Sequence, residues 1–181
     1  MQETLDIEEA PPTRGGMGTW HSQGPDRDEW LTPPHVLKAL GPFDLDPCSP
    51  VRRPWNTAAT HYTVHDNGLM KPWHGRVWLN PPYGNNTTRW MQRLAEHGNG
   101  VALIFARTET GTFFPWVWEH ATSLLFLKGR LAFHFSDGSP SKTSAGAPSV
   151  LIAYGQANAE ALANSGLAGK LMHNDAMRRI E

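Results

Sequence analysis

Short apolar runs recur along the chain, and amphipathic or polar stretches separate them. Apolar residues dominate the runs at residues 76–79, 101–105, 124–127, 131–135 and 150–154. Runs of this length with turn-forming residues around them are typical of buried strands. Residues 43–46 are a further short strand candidate that ends at a proline, and residues 58–64 fit either a helix or a strand.

Helix signals occur between these runs. Residues 32–41 begin with Thr32 as the predicted N-cap and Pro33 at the first helical position, and Gly41 stops the helix. Further helices are predicted, from apolar spacing and capping residues, over residues 86–98 and 112–121.

Strands that alternate with helices and then follow one another predict an α/β domain with a mostly parallel sheet and an antiparallel edge. In such sheets, ligands bind beyond the carboxyl ends of the strands, where several loops converge. Two strand ends carry unusual polar and proline residues, at residues 44–48 (Asp-Leu-Asp-Pro-Cys) and 79–83 (Leu-Asn-Pro-Pro-Tyr). If the two strands are neighbours, these turns face each other across one crevice.

The first 29 residues differ in composition from the rest of the chain. They contain Pro-Pro, Gly-Gly and Gly-Pro pairs, few aliphatic residues, and seven acidic residues against two basic ones. Such a segment cannot bury enough apolar surface to order itself. We therefore predict a flexible acidic leader over residues 1–29, one domain over residues 30–165 and a C-terminal tail over residues 166–181. The net charge of −1 leaves +4 after residue 29, which permits nucleic-acid binding without indicating it.

Several classes of protein are excluded by what the sequence lacks. No apolar run approaches the roughly 18 residues of a membrane span, and the first ten residues do not resemble a signal peptide, so we expect a cytoplasmic protein without a membrane partner. The single cysteine, Cys48, cannot form an internal disulfide. His61 and His65 lack a third ligand at a suitable spacing, so we expect no metal site and assign both a structural or surface role.

The tetrapeptide Asn80-Pro81-Pro82-Tyr83 is the most informative motif in the chain. The Asn80 side-chain oxygen and the Pro81 carbonyl are acceptors, and Pro82 has no N–H that could occupy them within the loop. Two acceptors that converge on an exocyclic amine favour a tetrahedral nitrogen and free its lone pair for attack. Tyr83 offers a flat face on which a base taken out of a duplex can stack. A strand that merely stops at prolines is the structural alternative.

With these motifs, the sequence resembles the phage-type DNA N6-adenine methyltransferases, the Dam-like family of class I S-adenosylmethionine-dependent enzymes. The likeness runs from about residue 30 to residue 154. It implies a Rossmann-like fold with helices on both faces of the sheet, double-stranded DNA as the partner, and a phage- or prophage-encoded protein in a bacterial host. The segments that carry it, in the family's order, are residues 30–33, 43–48, 66–69 with Trp73, 77–84 and 126–133.

The resemblance also implies roles for individual residues. Asn80 and Pro81 would accept hydrogen bonds from the target adenine amine, Tyr83 would stack on the flipped base, and Phe133 would pack on the other side of that base. Thr32 and Pro33 would hold the methionine part of S-adenosylmethionine. The other residues that would bind this cofactor are Asp44, Asp46, Pro47 and Cys48 at the first strand, and Asp66 and Asn67 at the position that contacts its adenine.

The chain departs from the usual methyltransferase pattern in three respects. Residues 46–49 stand where many methyltransferases have a glycine-rich loop. The sequence has no acidic residue between Asp46 and Asp66 that could bind the cofactor ribose. No segment is long enough for a separate target-recognition domain. Two other functions therefore stay open. One is methylation of a glutamine side chain or of RNA, because the tetrapeptide serves planar nitrogen substrates generally. The other is a DNA-binding phage protein that has lost turnover.

Overall fold

The computed structural model describes residues 30–84, 86–141 and 144–174, so the predicted leader lies outside the described residues. Within this part of the chain, four helical segments are interspersed with seven strands. The helices are α1 (Pro34–Leu40), α2 (Thr87–His97), α3 (Gln156–Ala163) and a π-helix (Phe114–Trp118). The strands are β1 (Leu45–Asp46), β2 (Thr60–His61), β3 (Val77–Leu79), β4 (Gly100–Phe105), β5 (Ser123–Leu127), β6 (Ser149–Tyr154) and β7 (Gly169–His173).

The described strands form one seven-stranded sheet in the order β2-β1-β3-β4-β6-β5-β7. Strands β2, β1, β3 and β4 pair in parallel, whereas β6 lies antiparallel between β4 and β5, and β7 pairs antiparallel with β5. This confirms the predicted α/β fold, a Rossmann-like sheet with antiparallel strands toward one edge. Leu45 pairs with Val77, so β1 and β3 are neighbours and the two unusual strand ends lie at the same edge of the sheet.

Helices cover both faces of the sheet through apolar side chains. On one face, α2 and the π-helix pack on the strands, with Met91 in the core. On the other face, α1 and α3 pack on the strands, with Leu37 in the core. Strand side chains alternate between the faces, as in β3, where Val77 and Leu79 join the first cluster and Trp78 joins the second.

Proline and glycine mark two of the helix ends. Helix α1 begins at Pro34, and Pro33 occupies the N-cap without a side-chain hydrogen bond. The predictions that Thr32 caps this helix and that Pro33 is its first residue are therefore wrong, and the Thr32 side chain is buried instead. Helix α2 ends at His97, and Gly98, which the sequence marks as the end of this helix, is its C-cap. Gly98 is left-handed and donates its N–H to the Leu94 carbonyl oxygen at 2.9 Å.

Two predictions about the later part of the chain are wrong. Residues 131–135 do not form a strand, because the segment turns back over the chain before α1, where His134 bridges Leu31 and Pro140. The edge beside β5 belongs instead to β7, so the predicted tail over residues 166–181 includes a strand of the sheet. Backbone pairing with β5 holds this strand, whose side chains are mostly exposed. Residues 175–181 lie outside the described part.

Three further segments refine the predicted order of elements. Residues 58–64 contain a strand, β2. Residues 112–121 contain a π-helix in place of an α-helix, with Pro115 in its first turn. Helix α3 was not among the predicted elements. Among the described residues, no helix is long and apolar enough to cross a membrane.

Candidate active site

A cleft of about 370 Å³ opens at the sheet edge where β1 and β3 end. Four segments of the chain converge on it, at residues 30–32, 46–50, 63–69 and 80–83. The structure thereby brings together most of the residues predicted as functional. Those that line the cleft are Thr32, Asp46, Pro47, Cys48, Asn67, Asn80, Pro81, Pro82 and Tyr83.

The Asn80 side chain is held by its nitrogen and leaves its oxygen unpartnered. Nδ2 donates to the carbonyl oxygen of Trp30 at 3.0 Å. Oδ1 is buried and accepts no hydrogen bond from the described residues. A buried acceptor without a donor costs about 1–3 kcal/mol, so Oδ1 is a place where a ligand donor would be stabilising.

The loop that contains the prolines after Asn80 is hydrogen-bonded to the first turn of α2. The Pro82 carbonyl oxygen accepts a hydrogen bond from the Thr87 hydroxyl at 2.9 Å, and the Gly84 carbonyl oxygen accepts one from the Thr87 N–H at 3.1 Å. Proline fixes φ at two successive positions. The loop is therefore restrained by ring geometry on one side and by the first turn of the helix on the other.

Tyr83 extends from this loop and stacks on an aromatic ring at the end of β4. The Tyr83 and Phe105 ring centroids lie 4.2 Å apart, with an interplanar angle of 11°. Tyr83 is 39% exposed. The ring therefore has a fixed orientation at the cleft and still presents surface to a ligand.

Thr32 supplies a second unpartnered oxygen at the cleft. The residue is 1% exposed, and its Oγ1 has no partner among the described residues. Its position is fixed by the neighbouring Leu31, which exchanges backbone hydrogen bonds with His134 at 2.9 and 3.0 Å. Residues 30–32 thus form a rigid wall that contributes the Trp30 carbonyl and the Thr32 hydroxyl.

Asp46 ends β1 with a buried carboxyl group. One oxygen accepts from the Cys48 N–H at 3.1 Å, and the other accepts from the Thr57 hydroxyl. Burial raises the pKa of Asp46 to about 6, and these two hydrogen bonds and the charge of Arg53 oppose the increase. The carboxyl group is therefore ionised at neutral pH and is the buried negative charge of the cleft.

Cys48 and Gly68 bring separate turns together around Asp46. The Cys48 thiol donates to the Asn80 carbonyl oxygen at 3.3 Å, which ties the turn after β1 to the turn after β3. Burial raises the pKa of this thiol well above its usual range, so it stays protonated. A Cβ on Gly68 would lie 1.9 Å from the Pro47 carbonyl oxygen, so the loop at residues 66–69 approaches this turn as closely as only glycine allows.

Asp66 and Asn67 lie on that loop with different orientations. The Asp66 carboxylate accepts hydrogen bonds from the N–H and the hydroxyl of Thr63, at 2.8 and 2.9 Å, and these bonds lower its pKa. Asp66 does not line the cleft, whereas Asn67, in the left-handed region with a φ of 52°, does. Asp66 therefore stabilises the loop through Thr63, and Asn67 faces the cleft.

Three other predicted residues also lie away from the cleft. Pro33 is the N-cap of α1. Asp44 lies at the amino end of β1, where its carboxylate accepts from the Arg76 N–H at 2.6 Å. Phe133 is 5% exposed and belongs to the apolar cluster of α1 and α3. Its apolar run indicates burial correctly but cannot indicate which face of the sheet the ring covers.

Some residues that build the site were not predicted. Thr57 holds Asp46, the Trp30 backbone holds Asn80, and Phe105 supports Tyr83. Each acts on a residue at least eleven positions away, so local spacing carries no signal for it. Buried polar groups are generally hydrogen-bonded, so partners for Asp46 and Asn80 can be expected, but the sequence does not identify them.

No cluster of three or more histidine, cysteine or acidic side chains suited to a metal occurs in the described part of the chain. The polar atoms at the cleft are amide, hydroxyl, carbonyl and carboxyl oxygens. Their chemistry suits an organic ligand that donates hydrogen bonds and carries positive charge.

Comparison with known proteins gives a family for the chain. Residues 20–173, most of the sequence, match the family described as DNA N-6-adenine-methyltransferase (Dam). No curated protein and no solved structure matches the chain. The matched residues include every segment that lines the cleft. The chain therefore belongs to the Dam family of DNA N-6-adenine-methyltransferases.

Proposed function

We propose that the protein transfers a methyl group from S-adenosylmethionine to the N6 amine of adenine in double-stranded DNA, with S-adenosylhomocysteine, N6-methyladenine and one released proton as the products. The observation that carries this proposal is the Asn80 amide. Its nitrogen is bonded to the Trp30 carbonyl, and its buried oxygen has no partner among the described residues. An adenine amine is a donor that fits such an acceptor, and family membership supports adenine as the base.

The residues of the cleft fit S-adenosylmethionine. When bound, this cofactor supplies an electrophilic methyl group on a positively charged sulfonium. The ionised Asp46 offers it a buried negative charge, and the unpartnered Thr32 hydroxyl offers it a hydrogen bond. Asn67 would contact it at the rim, on the loop that Gly68 brings against Pro47. These residues would hold the cofactor beside Asn80.

The chain's own contribution to the reaction is orientation and exclusion of water. Asn80 Oδ1 and the Pro81 carbonyl would accept the two N6 hydrogens. These hydrogen bonds favour a tetrahedral nitrogen, whose lone pair is no longer delocalised into the purine ring. Rigid acceptors cost no reorganisation in the transition state. Proximity and a dry site account for most of the rate increase in a direct displacement of this kind.

Tyr83 would bind the target base outside the duplex. A paired base cannot bring its amine to a buried oxygen, so the adenine must leave the stack. Tyr83 is held against Phe105 and keeps exposed surface for stacking. Stacking of a base on an aromatic ring contributes about 1–3 kcal/mol, enough to offset part of the cost of unstacking.

The test supplies S-adenosylmethionine with a labelled methyl group to unmethylated duplex DNA, RNA and a protein extract in parallel. Label in DNA that digestion recovers as N6-methyladenine supports the proposal. Label in RNA or on protein glutamine contradicts it and favours the first alternative function. DNA binding without any transfer of label contradicts it and favours the second. Asn80→Ala is the control for contaminating activity, since this variant should transfer label about 10²- to 10³-fold more slowly than wild type.

A further inference from the structure

His61 lies opposite Asp46 but makes no direct hydrogen bond to it. The two residues are register partners in the parallel pair β1–β2. Partners in a parallel pair project their side chains from the same face of the sheet. The His61 ring therefore lies on the side of the sheet where Asp46 meets the cleft.

The His61 ring binds two backbone groups with one nitrogen. Nε2 lies 3.3 Å from the N–H of Thr57 and 3.3 Å from the N–H of Ala58. Both groups are donors, so Nε2 must be the acceptor and the proton of the neutral ring must be on Nδ1. Burial, and then the positive charge of Arg53, lower the pKa of His61 and favour this neutral form.

This contact fixes the turn that carries the Thr57 hydroxyl. Thr57 is 7% exposed, and its hydroxyl donates to one oxygen of Asp46. The other oxygen accepts from the Cys48 N–H. The orientation of the carboxylate thus depends on the turn at Cys48 and the turn at Thr57. The His61 ring holds the second turn through the backbone N–H groups of Thr57 and Ala58.

We propose that His61 is a positioning residue, which acts through Thr57 to hold the Asp46 carboxylate in the orientation that binds the cofactor. The inference rests on the proposed function, because it takes Asp46 to be a cofactor-binding residue. His61 requires neither a positive charge nor contact with the cofactor for this role. It requires only an acceptor at the position of Nε2.

Two variants of His61 separate this role from simple packing. In His61→Gln, the side-chain oxygen reaches about as far as Nε2 and can still accept from the turn. In His61→Asn, the amide is one methylene shorter and cannot reach it. His61→Asn loses both hydrogen bonds to the turn and leaves Thr57 less well oriented, so we expect it to weaken S-adenosylmethionine binding about five- to tenfold in a calorimetric titration without DNA. We expect His61→Gln to stay within about threefold of wild type.

A double-mutant cycle with Thr57→Val tests whether the effect passes through Thr57. We expect Thr57→Val to weaken cofactor binding as much as His61→Asn does, and the double variant to bind no more weakly than Thr57→Val alone. The inference is overturned if the two losses multiply, or if His61→Gln binds as weakly as His61→Asn. It is also overturned if His61→Asn folds and binds as wild type does.

Nitrogen NMR of the labelled histidine ring gives a readout that needs no cofactor. A protonated Nδ1 and a bare Nε2 at neutral pH support the inference, and a proton on Nε2 overturns it even if His61→Asn fails to fold. If the wild-type protein does not bind S-adenosylmethionine, the proposed function fails. The NMR result, with the same cycle run on the free energy of unfolding, then still decides whether His61 holds the Thr57 turn.

Discussion

The side-chain nitrogen of Asn80 lies 3.0 Å from the carbonyl oxygen of Trp30, fifty residues earlier in the chain. A flipped amide would place two acceptor oxygens against each other, so this hydrogen bond decides which way the amide faces. The segment before α1 thereby orients the oxygen that we assign to the target amine. The Trp30 backbone and the Asn80 side chain together fix the position of the acceptor, Asn80 Oδ1.

Replacement of this side chain should greatly lower activity with little change in stability. We expect Asn80→Ala to lower methyl transfer by a factor of about 10² to 10³, as the loss of one preorganised hydrogen-bonding group does in other enzymes. It removes the hydrogen bond to the Trp30 carbonyl and also the buried, unpartnered Oδ1, so the free energy of unfolding should change by about 1 kcal/mol or less. Cofactor affinity should change little. Single-turnover transfer, urea unfolding and calorimetry measure the three quantities.

The matched control for this variant is Asn164→Ala, at an exposed asparagine after α3. Methyl transfer by this control should equal that of wild type. Transfer by Asn80→Ala at the wild-type rate would contradict the role of the amide.

The stacked pair of Tyr83 and Phe105 should affect DNA binding more than cofactor binding. Tyr83→Phe keeps the ring and should retain transfer within about threefold, whereas Tyr83→Leu should raise the KM for DNA about tenfold or more, because base stacking contributes about 1–3 kcal/mol. Steady-state kinetics with a short duplex measures both. If Tyr83→Phe were as defective as Tyr83→Leu, the hydroxyl group would matter and the stacking role would be wrong.

Gly68 allows the closest approach between two walls of the cleft. A Cβ there would lie 1.9 Å from the Pro47 carbonyl oxygen, so Gly68→Ala must displace the loop at residues 66–69. We expect a loss of about 1–3 kcal/mol in the free energy of unfolding and weaker cofactor binding. Gly111→Ala is the matched control, because a Cβ at Gly111 meets no atom within 4 Å. Equal behaviour of the two variants would show that the loop does not depend on this contact.

The buried carboxyl group of Asp46 should make stability depend on pH in a defined window. Its pKa is about 6 in the folded protein against 3.8 for an ordinary aspartate. Between these values the folded state holds a proton that the unfolded chain has released, so acid favours folding there. The contribution of Asp46 to the free energy of unfolding should therefore fall by roughly 3 kcal/mol as the pH rises from about 4 to about 6.

Asp46→Asn isolates this contribution, since an amide can accept from the Cys48 N–H and donate to the Thr57 hydroxyl oxygen. Urea unfolding should give similar stabilities for the two proteins near pH 4 and a more stable variant near pH 7. The variant should bind S-adenosylmethionine more weakly at pH 7, because it lacks the negative charge. A stability difference that is independent of pH would show that Asp46 does not titrate in this window.

The central strands and the cleft could be predicted from the sequence because burial and turn residues mark them directly. Strand β4 is an uninterrupted apolar run, and it is buried on both faces. Pro47 and Pro81 mark the ends of β1 and β3, and the parallel arrangement brings those ends to one edge. Apolar runs and proline stops marked Asp46 and Asn80 as strand-end residues, and the pairing of β1 with β3 brings both to the cleft.

The remainder depends on contacts between distant segments, which no local pattern shows. Strand β7 is held by its backbone, and its exposed side chains give no strand signal. The apolar run around Phe133 has the composition of a strand, yet its backbone contact with Leu31 is an isolated bridge at His134. The Phe133 ring is buried in the apolar cluster beside α1. The Thr57 hydroxyl holds Asp46 and the Trp30 carbonyl holds Asn80, and no local sequence pattern predicts either contact.

A crystal structure with an unreactive cofactor analogue and a duplex that contains the target adenine tests the central claim most directly. The measured quantity is the distance from Asn80 Oδ1 to the adenine N6. We predict that it is about 3 Å, a hydrogen-bond length, with the analogue in the same cleft against Thr32 and Asp46. An analogue bound outside this cleft, or an N6 atom beyond hydrogen-bonding reach of Asn80, would contradict the account.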